Sequence, residues 1–286
     1  MNTPRFLRFL NKQWRLSRAV VAYYDALPSG TCNEEQVEVV AYLRNHPAWI
    51  FPYSFCEHYR PQDVPVFYDT ACALPYTLQD GHRIYLKKSW KGSKIRRKYN
   101  ALRLEQDPTS PHRYLTDQFR VEAGDVLVDI GAAEGNFALS VVDKVKRIYL
   151  IEADGEWIEA LRATFAPWRD KVTILHKFVS DHDDQDCITL DTLMEDDPEI
   201  NFVKIDVDGA ERELLAGATN TLREAHPMRL ALCTYHRQGD DQEFMELLNG
   251  HGFKTEFSRG YMLFYYNRQK LSPPYLRRAL IRAVKD

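Results

Sequence analysis

The 286-residue chain has no stretch near the roughly 18 consecutive apolar residues that a membrane-spanning helix needs. Its start, MNTPRFLRFLNKQW, lacks the long apolar core of a secretory signal. Cysteine is sparse. Cys32, Cys56, Cys72, Cys187 and Cys233 are odd in number, widely spread and without a C-x-x-C pair. Neither a disulfide framework nor a zinc site is suggested, and a reduced, cytoplasmic compartment fits best. Net charge is also small, -3 with a pI of about 6.3, so the whole protein is no polycation for nucleic acid. Internal repeats and low-complexity tracts are missing. What is present is ordinary for a globular protein: 44% hydrophobic and 28% charged residues, enough for a sizeable core in one large domain or two smaller ones.

Charge is segregated along the chain. Residues 1–18 carry Arg5, Arg8, Lys12, Arg15 and Arg18 and no acid, with Phe6, Phe9, Leu10 and Trp14 at helical spacing. Nine Lys/Arg lie between Arg83 and Arg103, again without an acid. The segment from Arg268 is basic too (Arg277, Arg278, Arg282), whereas 181–186 and 195–199 are acidic. Such segregation suggests a basic rim around a neutral body, and an anionic partner at the basic N-terminal and C-terminal segments. Residues 1–115 are rich in Tyr and Pro. They predict a hairpin from VPVFYD across Gln79-Asp80-Gly81 to HRIYLKK, with Tyr76, Tyr85 and Tyr99 in its packing. Ser110-Pro111 reads as a helix start, capped by serine. Glu105 and His112 either line a site or belong to that cap.

From residue 125 strands and helices alternate. DVLVDIG, RIYLIEAD, VTILHK, FVKIDVDG and RLALCTYH are strands. Helices are predicted over Glu134–Lys146, GEWIEALRATF, Ala210–Glu224 and Asp241–Asn249. FKTEFS and YMLFYY close the pattern, too near in sequence for a parallel crossover. The fold class predicted is α/β, a doubly wound, mainly parallel sheet of seven strands ending in an antiparallel hairpin. The organisation is an N-terminal α+β extension over 1–115, a central domain over 116–267 and a basic tail over 268–286.

The strongest local signal is Asp129-Ile130-Gly131-Ala132-Ala133-Glu134-Gly135, which joins the first strand of that alternation to its helix. Gly131 allows a sharp turn, and Gly131 to Gly135 admit a ligand close to the backbone. Glu152 ends the next strand about 20 residues on, where a carboxylate accepts ribose hydroxyl protons. The glycine that admits a pyrophosphate is absent, since Ala133 stands there. Asp129 would repel phosphate and favour an ammonium. A nucleoside joined to an amino acid without phosphate is S-adenosylmethionine.

VDIGAAEGNFAL, IEAD, ITLDTL and FVKIDVDGAERELLAGA resemble the successive motifs of the FkbM family of S-adenosylmethionine-dependent methyltransferases, over about residues 103–266. The resemblance implies a class I Rossmann-like methyltransferase fold and methyl transfer to hydroxyls, on macrolide natural products and, by inference, on glycans. Where the family has D-V-E-G-A-E, Asp208 replaces the first glutamate. The cofactor expected is S-adenosyl-L-methionine, held by Asp129, Gly131, Ala133, Gly135, Asn136, Glu152, Ala153, Ser180, Asp181 and Asp206. In such a sheet, order 3-2-1-4-5 puts Asp206 and His236 side by side at the ends of strands four and five. His236, with a pKa near neutrality, is the expected base and Asp206 its partner or substitute. A divalent metal on Asp206, Asp208 and His236 is the competing idea, and no metal is the reading favoured. Glu211 is expected to complement a helix N-terminus, and Trp157 and Trp168 to pack.

The function expected is O-methylation of a carbohydrate, glycoconjugate or related small molecule in the cytoplasm, or at the inner face of the membrane through residues 5–16. The alternatives are a methyltransferase for RNA or another polyanion, using the Arg83–Arg103 stripe, and a binding module without turnover. Motifs of the Asn/Asp-Pro-Pro-aromatic type used for amino methylation are absent, which favours oxygen over nitrogen.

Overall fold

The computed structural model describes residues 5–224, 227–264 and 271–286. The side chains of Arg5, Phe6, Arg8 and Phe9, and all of Tyr265, Tyr266 and Arg268, lie outside the described residues. In the extension, α1 (Arg5–Asp25) and α2 (Glu34–Asn45) pack through Val20, Tyr24, Val39, Val40 and Leu43. Asn33 and Gln36 close a reciprocal capping box at the start of α2. A three-stranded antiparallel meander follows: β1 (Phe67–Asp69), β2 (Leu74–Gln79) and β3 (His82–Tyr85). Asp80 and Gly81, at φ 51° and 85°, form the turn between β2 and β3 that an Asp-Gly pair favours. VPVFYD therefore does not face HRIYLKK; β2 lies between them and pairs with both.

After α3 (Gly92–Glu105) no helix begins at Ser110-Pro111. The Ser110 hydroxyl accepts from the His112 amide at 3.2 Å, a local turn bond that competes with a helical cap.

The alternation is β4 (Val126–Ile130), α4 (Asn136–Val141), β5 (Arg147–Ile151), α5 (Gly155–Thr164), β6 (Val172–Leu175), the short pair β7 (Phe178–Val179) and β8 (Cys187–Ile188), and α6 (Leu190–Asp196). It continues with β9 (Ile200–Ile205), α7 (Glu211–Ala216), α8 (Thr219–Glu224), β10 (Met228–Cys233), α9 (Asp240–Gly250), β11 (Lys254–Phe257) and β12 (Leu280–Lys285). The main sheet has the order β11-β12-β10-β9-β4-β5-β6. The five consecutive strands β10, β9, β4, β5 and β6 are parallel, and β12 runs antiparallel to both neighbours. This is the class I methyltransferase arrangement, with a reversed seventh strand inserted between the fifth and sixth.

The helix predicted over Ala210–Glu224 breaks in two at Gly217, where a Cβ would meet the Ser180 carbonyl at 2.0 Å. The last strand also differs from the expectation. YMLFYY contributes one bridge, Met262 to Arg277, and the sheet is completed by LIRAVK in the segment read as a basic tail. The charges disguised it. Arg282 is buried and donates to the carbonyls of Tyr114 and Arg113, and buried Lys285 donates to the last carbonyls of α8.

One apolar cluster covers the sheet face of α4 and α5 and runs on into the extension through Phe55, Leu74, Ile84, Ile95, Tyr99 and Tyr114. The second fills the opposite face under Leu214, Leu222 and Phe244. The extension thus shares a core with the sheet domain, which brings its residues 105–114 to the strand ends.

Candidate active site

The carboxyl ends of β4, β5 and β9 converge on the loop 131–135. Gly131 has φ +72, and a Cβ there would lie 1.9 Å from the Asp206 carbonyl oxygen. A Cβ on Gly135 (φ +77) would strike Phe165 and Leu161 at 2.7 and 3.0 Å. Both glycines are thus required by the chain's own packing, not by a ligand's approach. Ala133, also at positive φ (46°), donates its amide to Glu152 Oε2 at 2.7 Å, and Asp154 donates to Oε1 at 2.7 Å. Each oxygen of Glu152 keeps lone-pair capacity, so the carboxylate can still accept from a diol. Asn136 begins α4, and its carbonyl accepts from Gln79 at 2.6 Å. The Ala153 carbonyl contacts His176 at 3.1 Å. Ser180 and Asp181 follow β7, with exposed Asp181 paired to His182.

Asp129 does not await an ammonium from a ligand. It is 1% exposed, and Lys204 Nζ, from the facing position on β9, lies 3.0 Å away. Lys204 also donates to the carbonyls of Gly131 (2.8 Å) and Ile130 (3.2 Å). Burial works against the lysine's charge, but Asp129 and Asp206 outweigh it and raise its pKa. A lysine inside an otherwise apolar strand, FVKI, was the signal that could have found this pair, because a charge there is costly without a partner.

Asp206 is the accessible acid. Tyr114 donates to Oδ2 and Tyr235 to Oδ1, both at 2.9 Å. His112 Nε2 stands 3.6 Å from Oδ2 and His236 Nε2 3.7 Å from Oδ1. Burial would raise its pKa; Lys204, His112 and His236 pull it down to about 2. Asp206 and His236 are therefore brought together at neighbouring strand ends, as the sequence predicts. His236 Nδ1 forms an ion pair with buried Glu211 at 2.8 Å, and Nε2 faces Asp208 at 3.5 Å. Burial opposes the imidazolium, yet Asp208, Glu211 and Asp206 raise its pKa to about 10. The base expected at His236 is thus faced by carboxylates that favour its protonated form. Glu211 reaches past its helix start to hold that histidine, and accepts from the Val207 amide at 3.2 Å. Asp208 itself sits at φ 52°, a region an aspartate tolerates better than most residues, and its side chain is exposed.

His112 is buried, and burial lowers its pKa to about 4, with His236 and Lys204 adding to the effect against Asp206. Burial, then Asp206 and Glu134, raises Glu105 to about 8. Glu134 rises to about 7, chiefly through burial. Of the two extension residues, His112 stands at the site through its 3.6 Å approach to Asp206. Tyr114 and Tyr235, which make the direct bonds to Asp206, were not singled out from sequence. Ligand-type atoms of Asp206, Glu211 and His236 lie within 4.8 Å of one another, as do those of His112, Asp206 and Cys233. The positive charge these carboxylates require is supplied by Lys204 and His236.

Residues 129–255 match the family described as Methyltransferase FkbM domain. No curated protein matches the chain. Among solved structures, it is similar to the methyltransferase FkbM of Methylobacillus flagellatus: 17% identity over 67% of this chain and 54% of that one, TM-score 0.47. A precorrin-6y C5,15-methyltransferase of Geobacter metallireducens shares 15% identity over 58% of this chain and 82% of that one, TM-score 0.40. An rRNA methylase of Streptococcus thermophilus shares 12% over 58% and 88%, TM-score 0.39. The chain spans about half the length (54%) of the first of these. With its strand order and the motifs from Asp129 onward, the segment 129–255 of this chain is thus similar to the methyltransferase FkbM domain.

Proposed function

We propose that the protein is an S-adenosylmethionine-dependent O-methyltransferase whose acceptor is a hydroxyl of a carbohydrate or glycoconjugate. The observation that carries this reading is the presence of two unlike carboxylates at the ends of β5 and β9, on either side of β4. Glu152 keeps acceptor capacity for a ribose diol, and Asp206 stays ionised between two tyrosine hydroxyls. The cofactor supplies a sulfonium methyl group. Glu152, the Gly131–Gly135 loop and Asn136 would hold its nucleoside and amino-acid parts, with Ala153, Ser180 and Asp181 on the adenine side. The internal pair Asp129–Lys204 stiffens the floor under them.

Asp206 then orients the acceptor hydroxyl and receives its proton. A carboxylate of low pKa suffices, because an alcohol oxygen gaining a methyl becomes an oxonium, a far stronger acid than any carboxylic acid. His236, held protonated, stands 3.7 Å from Asp206 and helps keep it in place. Isothermal calorimetry with S-adenosylmethionine tests the cofactor half: Glu152→Ala abolishes binding, and unchanged affinity overturns the assignment. Transfer of labelled methyl to a panel of nucleotide sugars and cell-envelope extracts tests the acceptor half.

A further inference from the structure

Four of the nine cations between Arg83 and Arg103 have work inside the fold. Arg83 pairs with Asp69 at 2.9 Å, Lys87 with Asp154 and Glu156, Arg96 donates to the Val64 carbonyl, and Arg103 lies over the Tyr59 ring at 5.1 Å. The other five, Lys88, Lys91, Lys94, Arg97 and Lys98, are exposed, and none forms an ion pair with a carboxylate among the described residues. Lys94 only covers Trp90, at 4.5 Å. Their placement is unfavourable for the free protein. Lys91 caps α3 without a side-chain bond, and the first turn holds Lys94 and no acid, the wrong sign for a helix N-terminus. Lys91, Lys94 and Lys98 recur at spacings of three and four, where like charges repel.

The same helix also walls a cavity of about 560 Å³, through Tyr99, Leu102 and Arg103. Asp63 and Asp80 face it from across the cavity. Phe137, also in its lining, packs at 5.1 Å on Tyr114, whose hydroxyl holds Asp206. One aromatic layer thus separates cavity and acid. Asp63 and Asp80, with Arg103 and Arg113 in the same wall, offer acceptors and donors to a body rich in hydroxyls. The Tyr59 ring, also in the lining, carries Arg103 on its face and offers no free platform there for a base. A ligand that satisfies both the cavity and the lysine row of α3 is rich in hydroxyls and negatively charged at intervals.

We propose that α3 and this cavity form a docking track for an acidic polysaccharide, its sugar rings entering the cavity while uronate carboxylates lie along Lys91, Lys94, Arg97 and Lys98. The track names the acceptor class of the hydroxyl methylation proposed above and rests on that reading.

The test uses the full chain and fluorescent oligogalacturonate, with neutral dextran, a single-stranded RNA and phosphatidylglycerol vesicles as competitors for the interpretation. Oligogalacturonate binds the wild type, dextran does not, and affinity falls as salt rises. The variant K91E/K94E/K98E loses affinity on the order of tenfold at low salt. The three positions are exposed; should the triple variant melt early, K94Q/K98Q replaces it and shows a smaller loss in the same direction. Equal binding by wild type and variant overturns the track, as does RNA or vesicle binding tighter than that of the uronate. Calorimetry with S-adenosylmethionine on the same samples separates the two claims. Donor binding without uronate binding removes the track alone, and uronate binding without donor binding removes the methyltransferase reading.

Discussion

Two aspartates close to the ends of neighbouring parallel strands, Asp129 on β4 and Asp206 after β9, have opposite fates. Asp129 is sealed at 1% exposure against a lysine from the facing strand position. Asp206 keeps 18% of its side chain open and is held by groups from two different segments: Tyr114 and His112 from the extension, and Tyr235 and His236 after β10. Residue type and position in the strand do not separate them. The partners do: Asp129 is closed by a lysine at 3.0 Å, whereas Asp206 accepts from two tyrosine hydroxyls and is held ionised by Lys204, His112 and His236, with capacity left for a further donor.

The comparison is broken most directly by removing the cation. Lys204→Met leaves Asp129 buried and unpaired and is expected to cost about 3–5 kcal/mol in chemical denaturation. The double variant Asp129→Leu/Lys204→Met recovers most of that loss. A small cost for the single change would mean that the pair is not what holds the strands' ends.

Asp206→Asn should do the reverse. Folding is retained and S-adenosylmethionine still binds, but turnover on an accepted substrate drops by about 10²- to 10⁴-fold. An active Asp206→Asn enzyme would sink the proton-acceptor role.

The third prediction concerns pH. The folded pKa of His236 is raised, so its contribution to stability is complete below the ordinary histidine value of 6.5 and is lost as pH rises through about 10. Asp206 is lowered, so its contribution is present above 3.8 and disappears as pH falls through about 2. The stability gap between wild type and His236→Gln is therefore expected to narrow between pH 7 and 10. A gap that widens over that range contradicts the ion pair with Glu211.

The smallest effects belong to the hydroxyls. Tyr114→Phe and Tyr235→Phe each remove one bond to a charged acceptor, about 1.5–3 kcal/mol at most. Both should move the Asp206 titration upward in a carboxyl-resolved NMR experiment, and a single change that leaves it unmoved would show that the other tyrosine carries the bond alone.

The extension and the sheet domain differ in how much of them could be read in advance. Short apolar runs between turn residues located β4, β5, β6, β9 and β10, because a strand buried on both faces cannot hide its composition. The DIGAAEG turn and Glu152 followed from the same alternation. Asp80-Gly81 marked its hairpin turn through backbone conformation alone. These are consequences of local chemistry.

Whatever depended on distant partners was not local. LIRAVK looked like a charged tail because the carbonyls that accept from Arg282 and Lys285 come from residues 113–114 and 222–223. His236 looked like a neutral base because its carboxylate partners belong to other segments of the chain. Sequence by itself determined the doubly wound sheet and where its strand ends would gather polar residues. Only the tertiary structure decided which of those residues neutralise one another and which remain free to act, because charge and burial are settled by neighbours in space.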